Sequence, residues 1–376
     1  MLERLRHMLR KEFIQVLRDP RMRAVIIVVP IFQVLIFGYA VTTDVRDIRT
    51  AVYDLDNTPQ SRDLLDRFVG SGYFDVVARL HDEDQVRDVL DRGTAKAVLR
   101  VDRGFGGAIA AGRQASLQIL LDGTDSNTAS LVLKYAGQIT AGYNERALTR
   151  EVLRMTGHPP PPPPVVLSER AWFNPNLESR DYFVPGVIAL LVMVISILLS
   201  SMAIVREKEI GTIEQIMVTP IGRLEFILGK TIPFALIGFL DVILISLVAV
   251  FWFGVPIEGD PLLLFFSTGL YLMSTLGVGL FISTVSRTQQ QAMMTAFFFM
   301  QPAILLSGFI YPIANMPVAV QWFTYLNPLR YFLVIIRGVF LKGVGLSVLW
   351  PQMAALAVLG TVLLLLASTR FRKTLA

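Results

Sequence analysis

The chain has 376 residues, 53% of them hydrophobic and only 17% charged, with a formal net charge of +5 and no cysteine. An average soluble protein carries roughly a quarter charged residues, so composition excludes a purely soluble chain, and the missing thiols exclude disulfides, thiol catalysis and Cys-ligated zinc. The charges are unevenly spread: residues 44–180 hold 17 Lys/Arg and 19 Asp/Glu, leaving 29 charged residues for the other 239, which places one soluble domain inside a membrane protein.

Outside that domain the balance is +7, which fits cationic flanks on membrane spans better than a nucleic-acid surface. His7, His81 and His158 lie too far apart in sequence to suggest a metal site. In chain order, residues 2–18 place Leu2, Leu5, Leu9, Phe13, Val16 and Leu17 near one helical face with Arg4, Arg6, Arg10 and Lys11 around it. This reads as an amphipathic helix on the cytoplasmic membrane surface, so residues 1–23 form an interfacial segment. The apolar run Ala24–Val41 follows without a small-residue cleavage site, so it reads as a first span, 24–43, rather than as a signal peptide.

Residues 44–180 alternate β-rich runs with helical stretches. Strands are expected at 50–56, 73–80, 96–101 and 116–123, and helices at 58–69 and 82–92. A Gly/Ala turn region follows the third strand, and a long amphipathic helix runs from about Ser126 to Met155. Gly157 ends that helix, and the six prolines at 159–164 enforce an extended spacer. The segment 122–130 reads as a turn and helix N-cap built from Asp125, Ser126 and Asn127, and 82–88 as a capped, solvated helix face. No catalytic triad or carboxylate pair with a supporting base stands out.

The remainder, 181–376, carries five more apolar stretches: Phe183–Ile204, Thr231–Phe253, Leu262–Val285, Ala292–Ile310 and Leu349–Ala367. With six spans, the basic groups before the first span, at 206–230, at Arg287 and at 370–373 all fall on one side, which puts both termini in the cytoplasm. The stretch 317–341 is apolar but contains Pro317, Pro328, Arg330 and Arg337, and a seventh span would send the basic C-terminus outside. Broken, interfacial or re-entrant helix over 311–345 on the outer side is expected instead. The fold class is therefore a polytopic α-helical membrane protein of six spans with outer re-entrant helices and an inserted α/β extracytoplasmic domain.

Gly229-Lys230-Thr231 invites a phosphate-loop reading, but the position that needs the earlier glycine is Leu224 and a membrane span follows, so the chain is expected to hold no nucleotide site of its own. Residues 206–230 differ in kind: a dense mixed-charge cluster abuts the membrane, then a Gly-Thr turn, an amphipathic stretch with Ile213, Ile216 and Met217 on one face, and a Thr-Pro stop. That pattern suits a short surface helix docking into a groove on a partner.

Arg206-Glu207-Lys208-Glu209, Gly211-Thr212-Ile213-Glu214-Gln215 and Val218-Thr219-Pro220 closely resemble the cytoplasmic coupling region of type-2 ABC transporter permeases. So do Trp172-Phe173-Asn174-Pro175 with Phe183-Val184-Pro185-Gly186, Ser307-Gly308-Phe309-Ile310-Tyr311-Pro312, and Asn327-Pro328-Leu329-Arg330-Tyr331-Phe332, so the resemblance spans essentially the whole chain. It implies an exporter's membrane subunit in the inner membrane of a bacterium, with no catalytic residues, metal or cofactor of its own. ATP and Mg would be used by separate ATP-binding subunits that touch Arg206, Glu207, Lys208, Glu209, Gly211, Thr212, Glu214, Gln215, Thr219 and Pro220. A second permease subunit completes the pathway, and the external domain offers a docking surface for a periplasmic adaptor and outer-membrane channel. The substrate implied is hydrophobic or drug-like.

Within the spans, Asp241 is the sole acid deep in an apolar stretch and costs several kcal/mol if charged and unpaired. Asp241, Phe298, Gln301, Asn327 and Arg330 are the candidates for the substrate pathway. Gly269, Gly277 and Gly279 are expected to permit close helix packing. An ion-coupled secondary transporter using Asp241 is the competing reading. A membrane sensor is a third, and it leaves 206–230 unexplained.

Overall fold

Helix caps readable in the sequence start several of the elements. Thr58 accepts from the Ser61 amide while the Thr58 amide is held by the Ser61 hydroxyl, with Pro59 at the first helical position. Asp260 with Pro261, Thr288, and Asn327 with Pro328 open three further helices in the same manner. The computed structural model describes residues 2–18, 20–40, 47–159, 161, 172–174, 178–212 and 222–370, and the chain divides into two units, 43–169 and 1–42 with 170–376.

The unit 43–169 is a four-stranded mixed sheet with helices on both faces. Its strands are β1 (Ile48–Asp54), β2 (Phe74–Arg79), β3 (Ala97–Val101) and β4 (Leu117–Leu121), in the order β2-β1-β3-β4; β1 pairs in parallel with β2 and β3, and β4 runs antiparallel to β3. On one face Leu64, Leu65 and Phe68 of α4 (Pro59–Gly70) and Val132, Ala136 and Tyr143 of α7 (Ser126–Thr156) pack with Ile48, Val52, Leu99 and Val101. On the other, Val86 of α5 (Glu83–Asp91) packs with Ala51, Tyr53 and Val98.

The expected Gly/Ala turn after the third strand holds a short helix, α6 (Phe105–Ala110), which Gly104 enters at φ +88°. Asp56 ties that turn to the end of β1: its carboxylate accepts from the amides of Gly104 (2.7 Å) and Gly106 (2.8 Å) and from the Thr58 hydroxyl. These bonds link the loops that follow the parallel strands β1 and β3, at the strand ends where open α/β sheets often bind ligands. Asp125 caps α7 as expected, accepting from the Thr128 amide and hydroxyl.

The other unit is helical. After α1 (Leu2–Arg18) come α2 (Pro20–Arg23), a five-residue π-helical stretch Ala24–Val28, and α3 (Val29–Ala40). Then follow α8 (Ser179–Ala203), α9 (Val205–Ile210), α10 (Arg223–Phe251), α11 (Pro261–Val285), α12 (Gln289–Leu305), α13 (Val318–Thr324), α14 (Pro328–Arg337) and α15 (Leu346–Arg370). Among the described residues, four helical segments are long and apolar enough to cross a membrane: Ser179–Ile210, Glu225–Phe251, Pro261–Val285 and Leu346–Arg370. The first expected span forms a shorter apolar helix, Ile26–Tyr39. The fifth stops early: α12 ends at Leu305 and Gly308 turns the chain at φ +84°, so 306–310 are not helical. Seventeen residues rise about 25 Å, short of the roughly 30 Å apolar layer.

α8 is the central helix, packed against α3, α10, α11, α12 and α14. Glycines set the close approaches. A Cβ on Gly279 would meet the Ile197 carbonyl at 2.8 Å, one on Gly277 would meet the Leu363 side chain at 2.9 Å, and Gly269 faces Phe239. The region 317–341 is broken helix. α14 lies alongside α11, Phe332 stacking on Tyr271 at 4.1 Å, and its far end meets the loop before α11, where the Glu258 and Gly259 amides donate to the Phe340 and Val339 carbonyls.

Candidate functional site

Directly after α8 the chain bends. The amides of Ile204 and Val205 both donate to the Ser283 hydroxyl at 3.0 Å, so the break between α8 and α9 is pinned to the end of α11. α9 then bridges two helix termini of opposite polarity. Lys208 Nζ donates to the carbonyls of Thr284 (2.8 Å) and Ser286 (3.3 Å) at the C-terminus of α11, where unpaired carbonyls concentrate negative charge. Glu209 accepts from Gln289 Nε2 (2.6 Å) and the Gln289 amide (3.3 Å) at the N-terminus of α12. One turn of helix thus complements both dipoles and joins α11 to α12.

Glu207 faces the other way, into a buried cluster. Lys230 Nζ donates to Glu207 Oε1 and to Glu12 Oε1, each at 2.7 Å, with all three side chains 5% exposed or less. Lys11, half-exposed, reaches the same Glu207 oxygen at 3.0 Å, and the Thr212 hydroxyl donates to Glu207 Oε2. Two buried carboxylates and one buried ammonium leave one negative charge, which Lys11 balances from the rim. The cluster bolts α1 to α9 and α10. Met8 supports the crossing by filling the space over Gly229 of α10.

Of the residues expected in the coupling segment, Glu207, Lys208, Glu209 and Thr212 carry these bonds, and Gly211 ends α9 at φ +82°. Arg206 is half-buried and makes none of them. Glu214, Gln215, Thr219 and Pro220 lie outside the described residues. Gly229-Lys230-Thr231 sits inside α10, with Lys230 engaged by two carboxylates and the Thr231 hydroxyl on the Ile227 carbonyl, so this run is helix rather than a phosphate-binding loop. Glu12, Lys11, Lys230, Ser283 and Gln289 are site residues that sequence reasoning missed.

The pathway candidates are dispersed. Asp241 is fully buried in α10, and among the described residues neither carboxylate oxygen has a hydrogen-bond partner. Phe298 and Gln301 lie on the open face of α12, whose buried stripe is Ala292, Ala296, Met300 and Ala303. Asn327 spends its side chain on structure, capping α14 through the Leu329 amide and donating to the Ala303 carbonyl at 2.6 Å. Arg330 donates to the Thr324 hydroxyl and lies over the Tyr325 ring.

Residues 20–369 match the model of the ABC-2 family transporter proteins. The chain belongs to that family. It is 33% identical to the probable multidrug ABC transporter permease YbhR of Escherichia coli (strain K12), over 96% of this chain and 95% of the relative. It is 34% identical to the probable multidrug ABC transporter permease YbhS of the same strain, over 90% and 89%, and 28% identical to its inner membrane transport permease YhhJ, over 86% and 85%. An ABC-2 chain is the membrane permease of an ABC transporter rather than its ATPase, and the family implies pairing with ABC ATPase subunits. In this permease the clamp at Glu207 and Lys230 lies at the base of the segment that resembles the coupling region.

Proposed function

We propose that the chain is the permease subunit of an ATP-driven exporter in a bacterial inner membrane, crossing it six times with both termini in the cytoplasm and the unit 43–169 outside. ATP and Mg are used by partner subunits that dock on 206–220, and a second permease subunit completes the pathway. The cargo is hydrophobic or drug-like, in keeping with relatives named multidrug permeases. The outer unit is the docking surface for a periplasmic adaptor and outer-membrane channel.

The observation that carries this reading is the clamp. A displacement that reaches α9 cannot be absorbed there alone, because Glu207 ties α9 to α1 and α10 while Lys208 and Glu209 tie it to α11 and α12. Closure of ATPase subunits therefore moves several helices together, as a switch between two discrete packings requires. Two further features agree with the orientation. All four tryptophans are exposed, Trp252 directly after α10 and Trp350 near the start of α15, as an interfacial belt would be, and Lys208, Lys230, Arg287 and Arg370 mark the opposite ends of the long helices. The open face of α12 carries Met294, Phe297, Phe298 and Gln301, and a polar amide there suits a protein- or water-lined path better than lipid.

Affinity purification in mild detergent tests the reading, comparing wild type with a Glu209→Arg/Glu214→Arg double variant and with Asp241→Asn. An ATP-binding subunit that co-purifies with wild type and Asp241→Asn but is lost from the double variant, while the permease still inserts, is the expected result. Absence of any such subunit, together with export abolished by Asp241→Asn, would overturn it in favour of ion coupling.

A further inference from the structure

The stretch 318–342 carries Arg330, Arg337 and Lys342 at the end of the membrane unit where basic residues are ordinarily scarce. Among the described residues none of the three forms an ion pair. Each lies over an aromatic ring: Arg330 at 4.0 Å from the Tyr325 centroid and 5.9 Å from that of Tyr331, Arg337 at 3.8 Å from Tyr182, and Lys342 at 5.7 Å from Phe173. A ring face attracts a cation without neutralising it. Nearby carboxylates are engaged or distant. Glu178 pairs with Arg180 at 2.5 Å and Asp260 caps α11, while Asp181 and Glu258 pair with none of the three cations.

The surroundings of Arg330 are apolar. Arg330 and Val334, at i and i+4, lie on the open side of α14, whose other faces bury Leu329, Phe332, Leu333, Ile335 and Ile336, whereas the Arg337 guanidinium turns inward, Nη1 donating to the Gly308 carbonyl at 3.5 Å with Nε and Nη2 shut off from solvent. The Arg330 guanidinium is fixed by the Thr324 hydroxyl and the Tyr325 ring at the end of α13, which exposes Trp322 and Phe323, and Leu326 beyond it is exposed too. A soluble anion has no use for those side chains, and a zwitterionic lipid brings its own ammonium beside its phosphate, which offsets much of the attraction to a guanidinium. An amphiphile with an anionic head matches both halves.

We propose that Arg330 binds the phosphate of an anionic phospholipid whose acyl chains lie against Trp322, Phe323 and Leu326. The site depends on membrane placement of this unit and not on ATP coupling or on the identity of the cargo. Its test is the melting temperature of the full chain in phosphatidylcholine nanodiscs with and without phosphatidylglycerol, and in phosphatidylcholine discs with millimolar inorganic phosphate.

Phosphatidylglycerol raises the Tm of wild type by about 3 °C or more. Arg330→Gln abolishes that gain, Arg330→Lys retains most of it, and free phosphate gives none. Because the gain is a difference between two lipid mixtures for one variant, a general loss of stability does not mimic it. Should Arg330→Gln fail to fold, Val334→Glu places a carboxylate on the exposed side of α14 one turn from Arg330, and the gain must vanish there. Equal melting in both mixtures, a full gain in Arg330→Gln or Val334→Glu, or an equal shift from free phosphate overturns the proposal.

Discussion

Replacing Lys230 with Met keeps the length of the side chain and removes the one buried cation of the cluster. Glu12 and Glu207 each lie 2.7 Å from its nitrogen, so their facing oxygens are close enough to repel strongly once it is gone. At about 5 Å and an effective dielectric of about 20, two unit charges repel by about 3 kcal/mol. Breaking a buried pair by deleting one partner costs 3–5 kcal/mol by mutagenesis elsewhere, so the two routes agree. Lys11 remains, but from a half-exposed position that cannot replace the buried ammonium. The expected outcome is a Tm lower by about 6 °C in scanning fluorimetry of the detergent-solubilised chain, from a loss of about 3 kcal/mol. Glu12→Gln in the same background recovers much of the loss, since it removes the repulsion. Substrate-stimulated ATPase activity of the assembled transporter should fall in the single variant and return in the double. An unchanged Tm in Lys230→Met, or a double variant no better than the single, would refute the view that this charge triad holds α1 to α9 and α10.

Ser283→Ala removes the acceptor for both the Ile204 and Val205 amides and should cost about 1–3 kcal/mol, the penalty for orphaned buried donors; an unaltered denaturation midpoint would show that the bend between α8 and α9 is held elsewhere. In the unit 43–169, the Asp122 carboxyl is held down from 3.8 to about 2, first by its bond from Lys96 and then by Thr124. A pKa lowered in the folded state stabilises above the unfolded value and is lost as pH falls through the folded one, so this contribution fades between about pH 4 and 2. Pepsin cleavage near β3 and β4 of the full chain should therefore accelerate over that window, and Asp122→Asn should flatten the dependence; identical profiles for the two would exclude the link.

Long apolar runs and strand alternation were readable because each element's pattern is local. Strands β1 to β4 and helices α4, α5 and α7 form within a few residues of where periodicity puts them. Where α12 ends was not readable: Phe309 and Ile310 are as apolar as the span before them, and only the positive φ of Gly308 shows that the chain has turned. The clamp was hidden for another reason. Glu12 and Lys230 are 218 positions apart, and pattern reasoning has no access to such a pairing. One signal was present, since Glu12 follows Leu5 and Leu9 at helical spacing and so interrupts the apolar face of α1. An acid on the greasy side of a surface helix asks for a buried cation, and Lys230 beside the membrane was the available one.

The clamp also bears on how force passes through the permease. A lone exposed ion pair stabilises by less than about 1 kcal/mol and would slip under load. Here the pairs that join helices are buried and share partners: one ammonium serves two carboxylates, and one of those carboxylates also accepts from Lys11 and Thr212. Releasing α9 therefore exposes several charges at once, and the cost rises steeply instead of bond by bond. If partner subunits dock on 206–220 as proposed, a push that reaches α9 is expected to carry α1, α10, α11 and α12 with it or to leave them all in place, which is the behaviour a transporter needs if nucleotide-driven closure is to alternate access rather than merely flex a loop.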